Sequence, residues 1–208
     1  LSLGEPRSPH EHGSGSCAVL KVGDEYWMWY TALRDEAGYT KNLNIGIALA
    51  TSPDGLNWTP HEAGTLIKPD TKNPIEDYVC SKPVVYYRDG KYQIWYNSAG
   101  PGYRVRYAES SDGIHWTKPE LELVEFNGSK RNNIVWDGLG AHNFAPFKDM
   151  NPDCKIDEQY KALASGSTSR RGLYPFKSPD GVHWSLMSAT PVITKGAFDS
   201  QNIAFWDT

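Results

Sequence analysis

The sequence holds only three cysteines, Cys17, Cys80 and Cys154, among 208 residues. They lie too far apart for a zinc-binding pattern, and an odd number cannot pair off into a disulfide framework. They read as buried free thiols. No apolar run approaches the roughly 20 residues that cross a bilayer as a helix, so no membrane partner is expected. Lys and Arg never run beyond the pairs Lys130-Arg131 and Arg170-Arg171, and the formal net charge is −4. Without a basic stripe, nucleic acid is not an expected partner. No stretch carries the three-and-four apolar spacing of an amphipathic helix.

Aromatic and turn-forming residues are abundant: 8 Trp, 12 Tyr, 19 Gly and 14 Pro. This composition suits turn-rich β structure, a sugar-binding surface, or both. One motif recurs three times, as Ser52-Pro53-Asp54-Gly55-Leu56-Asn57-Trp58, Ser110-Ser111-Asp112-Gly113-Ile114-His115-Trp116 and Ser178-Pro179-Asp180-Gly181-Val182-His183-Trp184. Asp-Gly between two β-rich runs predicts a tight hairpin, with Gly supplying a positive φ. The Ser and Asp side chains can hold nearby amides, and the Trp is expected to pack on the sheet.

A second shared element precedes each copy. Glu25-Tyr-Trp-Met-Trp-Tyr30 matches Lys91-Tyr-Gln-Ile-Trp-Tyr96 and, more loosely, Gln159-Tyr-Lys-Ala-Leu163. Each unit therefore reads as four antiparallel strands: an apolar strand, an aromatic strand, a third such as 44–50 or 103–108, and a fourth carrying the Trp. Repeats of about 40–70 residues built this way predict an all-β β-propeller, whose blades bury their faces only by stacking. The expected blades span about 1–75, 76–138 and 139–196. A first strand of the next blade is expected over 197–208, near Asp199 to Trp206. The remainder of a ring, or an oligomeric partner, is expected to supply the missing surface.

On the 19–31 run, the 82–92 run and the three Ser-x-Asp-Gly-x-x-Trp copies, the chain resembles the five-bladed β-propeller glycoside hydrolases. These are families 32, 43 and 68, the mannoside phosphorylases of family 130 and related propellers. The turn motif is also similar to the Asp-box of sialidases, but is one residue shorter between Asp and Gly. The resemblance implies a carbohydrate partner, an extracellular or periplasmic (secreted) location, and three carboxylates at the starts of the innermost strands, pointing into the axial funnel. Two opposed carboxylates, one protonated and one ionised, are what glycosidic cleavage requires. Here the usual acid positions align with Ser16, Lys82 and the neighbourhood of Phe144.

The segments ahead of the innermost strands are nonetheless rich in acids and hydrogen-bonding groups. Glu11, Asp77 and Asp199 are the expected catalytic acids, with Glu76 and Asp137 as substitutes. His10, His12, Lys82, Trp136, His142, Asn143, Arg171, Gln201 and Asn202 are the expected substrate-binding groups, and the face of Tyr103 suits sugar stacking. His10, His12 and His142 could hold a divalent ion such as calcium beside a carboxylate. Loop histidines more often serve as hydrogen-bonding groups, and no cofactor is expected. The leading function is a glycoside hydrolase acting in the axial cavity. The alternative is a non-catalytic carbohydrate-binding propeller, which would account for the missing acids directly. A purely structural or interaction propeller, with a bland funnel, is the third.

Overall fold

The computed structural model describes residues 13–35, 43–69, 79–100, 102–166 and 171–207. Among the described residues twelve strands are present: β1 Gly13–Val22, β2 Glu25–Asp35, β3 Leu43–Ser52, β4 Thr59–Ile67, β5 Val79–Arg88, β6 Lys91–Gly100, β7 Gly102–Ser110, β8 Ile134–Asp137, β9 Ala145–Lys148, β10 Tyr160–Ser165, β11 Leu173–Ser178 and β12 Ser185–Leu186. Two short 3-10 turns, Ala141–Asn143 and Ile156–Glu158, lie between them. The strands form three antiparallel meanders, β1 to β4, β5 to β8 and β9 to β12. A parallel pairing, Ile45 with Val79, joins the third strand of the first blade to the first strand of the second. The fold is an all-β propeller of four-stranded blades.

The strands form where the sequence alternates or runs apolar, and tight turns close them. Gly23 and Gly90 take φ of +61° and +79° between the first and second strands of their blades, a conformation open to glycine at little cost. The second strands are the core of each blade. Trp29, Tyr30, Trp95, Tyr96 and Tyr160 are all essentially inaccessible to solvent, and each large aromatic buried this way stabilises by about 1.5–3 kcal/mol.

Each Ser-x-Asp-Gly-x-x-Trp copy joins third and fourth strands, with one hydrogen-bond pattern repeated three times. The serine hydroxyl donates to the aspartate and accepts from the aspartate and glycine amides. The aspartate accepts from the next two amides at 2.8 Å. The tryptophan lies in the turn, one residue ahead of the fourth strand, and not in that strand. Trp58 and Trp184 donate their indole N–H to the carbonyl of their own glycine, Gly55 and Gly181.

Two expectations are corrected. The fourth strands of the second and third blades are broken. In the second blade Thr117 pairs with Glu109, the chain leaves the sheet, and pairing resumes at β8. In the third blade β12 pairs with β11, and pairing resumes only at Ile193 with Leu173. The segment 199–207 forms no strand. Its side-chain amides turn to carbonyls in place of a ladder, Asn202 to that of Ser200 and Gln201 to that of Lys82. Gln201, Ile203, Ala204 and Phe205 instead line a groove of about 260 Å³ with residues of β1, β5 and β9. The first strands of all three blades thus face one axis.

Candidate functional site

Register places the site. Both β1 and β5 slip at one point, between Ser14 and Cys17 and between Ser81 and Val84. Pairing of Ala18 with Trp29, Val84 with Trp95 and Ala145 with Leu163 aligns the three first strands. Ser16, Lys82 and Asn143 then occupy equivalent positions. The third position is Asn143, one residue earlier than the Phe144 suggested by sequence; Phe144 is buried in the core against Phe176 and Trp184.

These positions are linked by hydrogen bonds around the axis. The Thr31 hydroxyl donates to the Ser16 carbonyl at 3.2 Å and accepts from the Lys82 amide at 3.0 Å. Lys82 Nζ donates to Asn143 Oδ1 and, at 3.3 Å, to the His142 carbonyl. Asn143 is fully buried, and its amide donates to Ser165 Oγ at 3.3 Å and to the Phe198 carbonyl at 3.4 Å. Gln201 Nε2 donates to the Lys82 carbonyl at 3.4 Å. The segment carrying Asp199 is therefore pinned to the first strands of the second and third blades.

Thr31, Asn97 and Ser165, which the sequence reading did not single out as a set, occupy one equivalent place at the axial end of the second strands. All three are buried. Asn97 donates to the Ala141 carbonyl, and its Oδ1 lacks a partner among the described residues. A polar residue six places after the start of each matching aromatic run, in Glu25 to Thr31, Lys91 to Asn97 and Gln159 to Ser165, is the signal that would have found them.

A cavity of about 420 Å³ opens beside this network, lined by His142, Ser165, Gly166, Arg171, Gly172, Ala197, Phe198 and Asp199. Its electrostatics follow from burial and two charges, those of Lys82 and Asp199. Burial pushes the Lys82 ammonium below its ordinary pKa, against the opposing pull of Asp199. Burial and the Lys82 charge push His142 below its ordinary value, again opposed by Asp199. At neutral pH His142 is a neutral imidazole, and its ring lies 4.1 Å from that of Tyr103. Two residues of the site, Lys82 and Phe198, hold positive φ of 54° and 58°. Such strain in non-glycine residues costs about 1–3 kcal/mol each and clusters where function holds it in place.

Of the expected site residues, Lys82, His142, Asn143, Arg171, Asp199 and Gln201 come together here. Asn202 lies beside them with its amide turned to the Ser200 carbonyl. Trp136 lies away from the cavity: its indole donates to the Leu139 carbonyl and its ring packs edge-on against Phe176. Asp137, the substitute acid, faces Arg104 at 3.9 Å. Glu11, Asp77, Glu76, His10 and His12 lie outside the described residues. Among the described residues no group of three or more His, Cys, Asp or Glu is arranged to hold a metal, and the ion that His10, His12 and His142 could share lies beyond what these residues test.

A glycosyl hydrolase from Bacteroides ovatus superimposes at a TM-score of 0.60, covering 84% of this chain and 48% of its own, with 21% identity. A family 117 glycoside hydrolase from Zobellia galactanivorans superimposes at 0.65, covering 92% and 50%, with 18% identity. The chain has the fold of the β-propeller glycoside hydrolases. It spans about half the length of these solved structures. In sequence, an uncharacterized protein of Mycobacterium tuberculosis is 31% identical over 98 residues, 47% of this chain and 31% of that protein. No family model matches the sequence.

Proposed function

We propose that this propeller is a glycoside hydrolase that binds an oligo- or polysaccharide at the axial end of its first strands. One observation carries the reading. Three equivalent positions on successive blades, Ser16, Lys82 and Asn143, are hydrogen-bonded into one network beside a 420 Å³ cavity that contains a carboxylate, Asp199. Two proteins that share the fold are glycoside hydrolases, and the cavity has the concave form and the few convergent polar groups of a ligand site.

In this reading Asp199, which lines the cavity close enough to Lys82 to act on its charge, is the base. Glu11 or Asp77 supplies the second carboxylate, protonated to meet the leaving oxygen. Lys82, Arg171 and neutral His142 hold sugar hydroxyls, and Tyr103 offers a ring face. The binding-only alternative rests on a specific observation as well: no carboxylate occupies any of the three equivalent positions.

Asp199→Asn separates the two. For the enzyme, turnover of the cleaved glycan falls about 10²–10⁴-fold while affinity, measured by calorimetry, changes little. A propeller that binds glycans on an array and releases no new reducing ends from any of them is the binding module.

A further inference from the structure

The two seams between blades repeat one contact. Trp29 on β2 donates its indole N–H to the Gly113 carbonyl at 2.9 Å, and Trp95 on β6 donates to the Gly181 carbonyl at 2.6 Å. In each case a second-strand tryptophan reaches the glycine of the next blade's turn. That glycine is buried at both seams. A Cβ there would meet the tryptophan, 3.1 Å from Trp29 at Gly113 and 2.6 Å from Trp95 at Gly181. The following residue, Ile114 or Val182, is half-buried on the cluster containing that tryptophan.

The first blade carries the same turn with the same internal hydrogen bonds, but among the described residues no tryptophan of another blade donates to it. Among the described residues the Gly55 carbonyl accepts only from its own Trp58, at 3.2 Å, whereas the Gly181 carbonyl takes both its own Trp184 and the neighbouring Trp95. A carbonyl oxygen has two lone pairs and accommodates both. A Cβ at Gly55 would meet only Tyr26 of its own blade, at 3.6 Å. Leu56, the equivalent of Ile114 and Val182, is 82% exposed.

We propose that Gly55 and Leu56 form the docking surface for a further four-stranded blade of the same polypeptide, whose second strand presents a tryptophan indole to the Gly55 carbonyl. Two observations select this occupant over a second copy of the chain. The third blade, which a head-to-tail copy would bring to this edge, has Leu163 where β2 and β6 have Trp29 and Trp95, and leucine has no N–H to give. The solved structures that share the fold are single chains of which this one spans 48–50%, so a polypeptide of that length has room for the donor.

The test places the photo-crosslinker p-benzoylphenylalanine at Leu56 in the complete gene product, with irradiation and peptide mapping by mass spectrometry. The expected product runs at monomer mass and joins position 56 to a strand peptide of the same polypeptide that contains tryptophan. Changing that tryptophan to Phe is then expected to lower the melting temperature by an amount similar to Trp29→Phe or Trp95→Phe. A crosslink to 159–165 of a second copy, to another protein, or to a peptide without tryptophan overturns the proposal. So does the absence of any crosslink, or a captured tryptophan whose replacement leaves the melting temperature unchanged.

Discussion

Lys82 concentrates several demands on one residue. Its backbone is left-handed, its amide is held by Thr31 of the preceding blade, and its ammonium is held by Asn143 of the next. The charges around it make a titration test with a fixed sign. Asp199 raises the pKa of both Lys82 and His142, so Asp199→Asn is expected to lower both, followed by NMR of the Lys82 Nζ and the imidazole carbons. Lys82→Met is expected to raise the pKa of His142, because the cation that opposes imidazolium is gone. Asn143→Ala leaves a part-buried ammonium without its side-chain acceptor, and is expected to cost about 1–3 kcal/mol in urea unfolding. The sequence placed Lys82, His142 and Asn143 ahead of first strands, which holds for His142 and Asn143, whereas Lys82 lies within β5. The sequence did not show that Asn143, and not Phe144, shares the register of Lys82, because a bulge shifts pairing without leaving a mark in residue type.

The turn is the best-defined element of the chain, and its chemistry sets an acid limit on stability. Backbone amides of Asn57 and Leu56 hold the Asp54 carboxyl well below its usual range. The His115 side chain and amide do the same for Asp112. At Asp180 burial pushes upward, but hydrogen bonds from His183, Val182 and Ser178 outweigh it and bring the pKa to about 2. A carboxylate depressed on folding stabilises above its unfolded pKa of about 3.9 and loses that contribution as pH falls through the folded value. The protein is therefore expected to lose stability between about pH 4 and pH 2, with a shallower acid limb for Asp180→Asn in melting scans. Gly90 and Gly181 offer a matched pair. Both have positive φ, but a Cβ at Gly90 meets nothing within 4 Å, while one at Gly181 meets Trp95 at 2.6 Å. Alanine at Gly90 is expected to cost about 1–2 kcal/mol of backbone strain, and alanine at Gly181 a further 1–3 kcal/mol, roughly, from overpacking. These turns and the aromatic second strands were legible because they are short, local and repeated. The broken fourth strands were not, since a ladder interrupted by an excursion has no continuous period to read.

At the scale of the molecule, the first strands line an axial groove and the seams are riveted by indoles. Trp95→Phe keeps an aromatic ring but a smaller one and removes the N–H bonded to Gly181, so the loss of hydrogen-exchange protection is expected to centre on 178–184, with the first blade unaffected. The propeller was legible from repetition alone. The axial site was only half so, because convergence is a property of the ring and not of any one stretch. The broken outer strands carry a consequence for how such a chain can change. The second blade leaves its sheet after Thr117, makes a small hairpin in which Phe126 pairs with Ser129 across Asn127 and Gly128, and rejoins at Ile134. The ladder resumes as though nothing had been inserted, and the axis does not register the detour. Length added on the perimeter is thus invisible at the hub. Loops there can be lengthened, shortened or replaced with foreign peptide, by evolution or by an engineer, while the inner strands keep their register.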